Sequence, residues 1–314
     1  RTVQEWGPLV RESAKLMRSV TKDAKLFAAA TSDKNWTMPL LREAGSYLDY
    51  IAIHGYWDPL FHVNNPAPFL KCMMKTDAPE RDIQRAIGIL DEAGFGGGKI
   101  KIAYDEWNLR NWHHPWHGDL RRGFDLEARR KNDIASTYTM ADALFSACFL
   151  NACLRHSDVV DVACFAPIVN TRGPIFVHPD GIVKRTTFYV FKMYTNGLED
   201  YMLPVALEAE RLTQGNQSTA VFDVVLTGNA DGTRYVYAVV NKDPEKSHAL
   251  TLDFKSLGVK EPRKIKVTVL SGSSADDYND IGKERVVPEE CTFEVRDAAV
   301  VLPPHSLTLL RLEK

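Results

Sequence analysis

No run of this sequence approaches the ~18 consecutive apolar residues that a membrane-crossing helix requires, so no membrane-spanning segment is expected. Charge of one sign is also missing. Lys and Arg total 39 against 41 Asp and Glu, a formal net charge of -2, which gives no electrostatic reason to expect nucleic acid or an anionic membrane as a partner. Neutral ligands stay open, and sugars are neutral. Cysteine is scarce and odd in number: Cys72, Cys148, Cys153, Cys164 and Cys291 form no CxxC pair and show no metal-ligand spacing. Buried thiols in a reducing compartment are expected rather than a disulfide framework, which points to the cytoplasm. Internal repeats and low-complexity tracts are absent too. With 45% apolar and 25% charged residues, the composition is that of an ordinary globular protein able to build a sizeable core.

What is present falls into two textures. The 314 residues suffice for two domains or one large barrel. The chain opens on a helical pattern in which Leu9, Leu16, Met17 and Val20 share one face. Up to about residue 197, short apolar runs alternate with amphipathic stretches. Leu26–Ala30, Tyr50–His54, Ile100–Tyr104 and Val159–Ala166 are expected strands, buried on both faces. Met38–Ala44, Asp77–Ala93, Asp133–Leu154 and Thr186–Tyr194 are expected helices. Such a βαβα series implies parallel strands with right-handed crossovers. From residue 198 the pattern becomes all-β. The runs from Phe222 to Leu226 and from Tyr235 to Val240 flank Asp231-Gly232, a hairpin signal, and His248–Phe254, Ile265–Leu270, Cys291–Val295 and Leu307–Leu312 continue the series. An antiparallel sandwich is expected over 198–314. Four βα units make half of a (β/α)8 barrel, and a closed barrel needs about eight. Either the sheet is a small open one, or a separate stretch of chain supplies the other half.

Chemistry concentrates at the strand end Tyr104-Asp105-Glu106-Trp107-Asn108. Barrel enzymes place catalytic groups at the C-terminal ends of strands. A retaining glycosidase needs two carboxyls about 5–5.5 Å apart. Asp105 and Glu106 are not expected to be that pair, because adjacent strand residues point to opposite faces. One is the expected catalyst and the other is expected to pack elsewhere. His54 and Tyr56, at the end of Tyr50-Ile51-Ala52-Ile53-His54-Gly55-Tyr56-Trp57, should project at the same rim, where a Tyr hydroxyl can hydrogen-bond a carboxylate.

These residues resemble glycoside hydrolase family 51, the α-L-arabinofuranosidases, over essentially the whole chain. The likeness is carried by Asp105–Asn108, by Tyr50–Tyr56, and by Met140–Val169, which contains Ala141-Asp142-Ala143-Leu144-Phe145, Leu150-Asn151-Ala152 and Leu154-Arg155-His156. Gly173-Pro174-Ile175-Phe176 and Pro179-Asp180-Gly181 add to it. The resemblance implies the C-terminal half of a (β/α)8 TIM barrel, strands five to eight, over residues 1–197. A jelly-roll-like β-sandwich follows over 198–314. It implies Glu106 as the nucleophile at the end of strand seven, with His54 and Tyr56 lining the site. Trp57, Trp107, Asn108 and Trp112 are the further expected substrate contacts. The family acid/base is a Glu in an Asn-Glu pair, and no such dipeptide occurs here. The chain is therefore expected to begin within helix four, with the acid/base on an N-terminal half that must act as its partner. No cofactor is implied, and a homo-oligomer is.

The expected activity is a retaining α-L-arabinofuranosidase acting on arabinose-containing plant polysaccharides or oligosaccharides. Pro167 and Gly55 stand where family members carry Gln, and the insert Asn108–Asp119 is rich in Trp and His. These departures keep an endo-β-glucanase or xylanase of the same family as an alternative. A non-catalytic carbohydrate-binding or structural fragment is the alternative of another class. His113, His114, His117 and Asp119 fit no standard zinc spacing, and Pro115 breaks any helix between them, so a sugar-facing aromatic lip is expected there and no metal. Arg172 and His178, after the fourth expected strand, either meet substrate or pair with Asp180.

Overall fold

The computed structural model describes residues 2–60, 65–111 and 134–314. It is mixed helix and sheet. Two compact units divide the chain: Arg1–Gly55, Asp77–Trp107 and Ala152–Phe165 form the first, and Tyr56–Thr76, Asn108–Asn151 and Ala166–Lys314 the second. Trp112, the other residues of the Trp- and His-rich insert beyond Asn111, and the helix start expected at Asp133 lie outside the described residues. Among the described residues, no helix is long and apolar enough to cross a membrane.

The first unit opens with α1 (Val3–Val20), where the Glu5 carboxylate accepts the Thr2 amide at 2.9 Å and so satisfies a donor at the helix start. β1 (Phe27–Ala29) follows, then α2 (Lys34–Ala44), capped by Asp33 accepting from the Asn35 amide. α1 packs on α2 through Gly7, Val10 and Ala14. A Cβ on Gly7 would meet the Glu43 side chain at a tight 3.0 Å, so glycine eases the close approach there. Leu9, Leu16, Met17 and Val20 stay 39–87% exposed. Periodicity weighs large apolar residues, whereas helix contact selected the small ones that let two backbones approach.

β2 (Tyr50–Pro59), α3 (Phe69–Met73), α4 (Ala78–Glu92), β3 (Lys101–Asn111), α5 (Met140–Arg155) and β4 (Val160–Phe165) come next. The sheet order is β1-β2-β3-β4, with β1 parallel to β2 and β3 parallel to β4, so β1 and β4 are its edges. Ile51, Ile53, Ile83, Ala86, Ile102 and Ala103 lie in the core. Full burial of each larger aliphatic side chain contributes about 1.5–3 kcal/mol. At the N-terminal ends of the strands, Asp161 accepts from the Tyr50 hydroxyl at 2.8 Å and from Lys101 Nζ at 2.7 Å, fastening β2, β3 and β4 together. β2 and β3 run well past their expected ends. The polar residues that seemed to close each strand belong to it.

In the second unit β5 (Ile175–His178) and β6 (Gly181–Lys184) form a hairpin, followed by α6 (Thr186–Gly197), β7 (Tyr201–Leu203), β8 (Arg211–Gln214), β9 (Gln217–Ala220), β10 (Phe222–Gly228), β11 (Arg234–Asn241), β12 (His248–Thr251), β13 (Lys264–Leu270), β14 (Glu289–Glu294), β15 (Ala299–Leu302) and β16 (Ser306–Glu313). Six strands pair in the order β14-β13-β16-β11-β10-β7, and β12 pairs with β15. β11 explains a pattern that defies alternation. Tyr235, Tyr237 and Val239 enter one core cluster with Phe222, Val267 and Leu310, while Val236, Ala238 and Val240 are buried on the opposite face. Both faces of a central strand are covered, so both are apolar.

The expected buried thiols hold for Cys72, Cys148 and Cys153. Cys164 and Cys291 are corrected: both are exposed, each on a strand position that faces away from a core.

Candidate active site

The pairing of β3 with β4 is irregular where the chemistry sits. Tyr104 lies opposite Ala163, and Trp107 opposite Phe165, so β3 spends one residue more than its neighbour across this step. That is a β-bulge, and a bulge re-aims side chains. Asp105 and Glu106 therefore do not diverge. His54 Nε2 stands 3.2 Å from Asp105 Oδ1, and His54 Nδ1 stands 2.9 Å from Glu106 Oε2. The expectation that the second acid packs elsewhere fails for this reason, since strict alternation holds only in a regular strand. All three side chains are open to solvent, with 49%, 46% and 42% of the side-chain surface of His54, Asp105 and Glu106 exposed. An exposed carboxylate steadied by one imidazole can attack an electrophile or take a proton.

The other expected site residues separate into distinct settings. Trp107 is fully buried and meets Phe165 edge-on, ring centroids 4.8 Å apart. As placed it packs the core and offers no face to a sugar, which corrects the expected contact. Asn108 is buried as well. Its Nδ2 donates to the carbonyls of Ala166 and Arg172 at 3.1 and 3.3 Å, and its Oδ1 accepts the Arg110 amide at 3.1 Å. It is a crosslink between β3 and the segment after β4. Tyr56 is half-buried beneath the Arg172 guanidinium, 4.7 Å from ring centroid to cation, a cation–π arrangement. Trp57 is half-buried and tilted against Phe145 and Phe149. Arg172 is buried, and His178 lies 3.3 Å from Asp180.

Sequence reading missed a buried ionic cluster in the second unit. Arg110 bonds both oxygens of Asp142 at 2.9 Å and also donates to Asp58. Asp58 takes Lys75 Nζ at 2.9 Å and the Ala67 amide at 3.0 Å. Burial pushes the Asp58 carboxyl upward, but the Ala67 amide, Arg110 and Lys75 together hold it below its ordinary value. Burial lifts the neighbouring Cys72 thiol to about 11. A signal was present: residues 54, 56 and 58, and residues 106, 108 and 110, continue the two-residue period of their strands. Among the described residues no group of His, Cys, Asp and Glu is arranged to hold a metal ion.

The geometry defines a mixed α/β protein whose sheet presents two accessible carboxylates from β3. The family model for the alpha-L-arabinofuranosidase C-terminal domain matches residues 105–306, more than half of the chain. The chain belongs to the glycoside hydrolase family 51 arabinofuranosidases. It is 31% identical over 287 residues to the probable alpha-L-arabinofuranosidase C of Aspergillus niger, covering 87% of this chain and 51% of that one. It is 26% identical to the intracellular exo-alpha-(1->5)-L-arabinofuranosidase of Streptomyces lividans, covering 92% and 44%. The solved family 51 alpha-L-arabinofuranosidase of Bifidobacterium longum shares the fold, with a TM-score of 0.83 at 21% identity over 100% of this chain and 64% of that one. The chain spans about half the length of the curated relatives it matches.

Proposed function

We propose that this chain supplies the nucleophile half of a retaining α-L-arabinofuranosidase. The observation that carries the reading is Glu106, an accessible carboxylate on β3 with His54 Nδ1 at 2.9 Å. Glu106 attacks the anomeric carbon of an arabinofuranoside and forms a glycosyl-enzyme ester as the glycosidic bond breaks. A Glu on an N-terminal half protonates the leaving oxygen and then activates the water that hydrolyses the ester. On this reading residues 1–197 are the last four βα units of a (β/α)8 barrel and 198–314 a β-sandwich. The N-terminal half then pairs with the free edges of β1 and β4, which would otherwise stand open in the sheet order. Arabinose-containing plant oligosaccharides and polysaccharides are the substrate class. A homo-oligomer and a cytoplasmic location complete the reading, the latter supported by the intracellular relative.

Glu106→Gln in the full-length protein keeps the shape and removes the charge. Turnover of an aryl α-L-arabinofuranoside should fall to background while thermal unfolding is unchanged. Near-parental turnover by that variant would overturn the assignment. The parent protein should prefer the arabinofuranoside to soluble β-glucan and xylan, and the opposite preference would move the substrate class.

A further inference from the structure

We infer that Asp105 is a positioning residue for the nucleophile and acts through His54. The inference deepens the reading of Glu106 given above and depends on it. His54 has one carboxylate at each ring nitrogen, Asp105 at 3.2 Å from Nε2 and Glu106 at 2.9 Å from Nδ1. Ionised carboxylates only accept, and a neutral imidazole has a single N–H to give. Filling both contacts takes two protons, one on each ring nitrogen. Neither carboxylate alone decides which nitrogen carries hydrogen.

Asp105 resolves the competition in favour of the nucleophile. Its carboxylate against Nε2 fixes the plane and tilt of the ring, leaving Nδ1 aimed at Glu106. Without Asp105 the ring can flip and carry Nδ1 away from the Glu106 carboxylate. When Glu106 becomes an ester it loses its negative charge and part of its accepting power. Asp105 is then the remaining carboxylate against the ring, and it keeps His54 in place until hydrolysis restores the Glu106 carboxylate. The bulge at 104–107 is what makes this possible. In a regular strand, one of two consecutive acids would have faced away from the ring.

The test is a double-mutant cycle in the full-length protein, read as kcat/KM on an aryl α-L-arabinofuranoside. Asp105→Ala should lower kcat/KM about 10- to 100-fold, the range seen when an outer partner that orients a functional imidazole is removed. Asp105→Asn retains an accepting oxygen and should lose less. In a His54→Ala background, Asp105→Ala should cost less than about twofold, because interactions within one network are non-additive. The 15N signals of the His54 ring should shift in Asp105→Asn at unchanged thermal stability, a response that a purely structural role would not give. Equal losses in both backgrounds, or an unshifted ring signal, would sink the inference. Background turnover by Glu106→Gln combined with additive Asp105 and His54 losses removes the inference alone. Retained turnover by Glu106→Gln removes the reading of the nucleophile and the inference with it.

Discussion

β2 and β3 carry ionisable side chains in two contrasting settings only four residues apart along each strand. At residues 54, 105 and 106 two carboxylates stand in solvent, one against each nitrogen of an exposed imidazole. At residues 58 and 110 an Asp and an Arg are buried and fully engaged with Asp142, Lys75 and Ala67. The first set is cheap to reorganise, because water takes over any contact that breaks. The second is not, since a charge left alone in the interior has no water to turn to. Charge near a strand tip is therefore two different things, chemistry where it is open and architecture where it is closed.

Breaking the closed set should have the largest effect on stability. Arg110→Ala leaves Asp142 and Asp58 buried without their shared cation and should cost about 3–5 kcal/mol by denaturant unfolding. His54→Ala should move stability by no more than about 0.5 kcal/mol, as exposed sites usually do, while it lowers turnover. If the two variants lose equal stability, the contrast between the settings is wrong.

Acid should separate the settings less sharply. Burial raises the Asp58 and Glu80 carboxyls, but Ala67 and Arg110 for the first, and His156 and Arg155 for the second, hold both below their ordinary values. A carboxyl depressed in the folded state stabilises at pH above its unfolded value, near 4, and that contribution is lost as pH falls through the folded value. The denaturant midpoint should hold from pH 7 to pH 5 and drop below about pH 4. Asp58→Asn should flatten that drop. A midpoint that is level down to pH 3 would show that the buried contacts contribute nothing through charge.

The strand cores and the turn chemistry were legible because each follows from local composition. Tyr50–His54 and Ile100–Tyr104 are apolar runs, and Asp231-Gly232 lies where β10 turns into β11, with Gly232 at φ 61°. Glu106 and His54 were legible as neighbours because each follows the apolar run of its strand, and the two strands are adjacent. Asp105 was misplaced because a bulge is a property of the pairing with β4, and no residue of β3 announces it. The packing face of α1 was not legible because Gly7 and Ala14 gain from what approaches them, and the sequence of one helix does not contain its partner. The burial of Trp107 depends likewise on Phe165, a residue of another strand.

The smallest effects should differ in sign between the units, and two glycines make the comparison. Gly88, within α4 of the first unit, has open space where a Cβ would go and needs no positive φ. Alanine there restricts the unfolded chain and suits a helix, so Gly88→Ala should stabilise by about 0.5–1 kcal/mol. Gly232, in the β10–β11 turn of the second unit, sits at φ 61°, where a side chain costs about 1–2 kcal/mol. Space is not the obstacle, because a Cβ there would meet the Tyr235 hydroxyl at an ordinary 3.4 Å. Gly232→Ala should therefore destabilise through backbone strain alone, and Gly232→Asn, a residue that tolerates the left-handed region, should recover most of the loss. Urea midpoints for the three variants decide it. A Gly232→Ala midpoint at or above the parent's would mean that the turn relaxes out of the left-handed conformation at no cost, and the register of β11 would then be held by its core-facing residues alone.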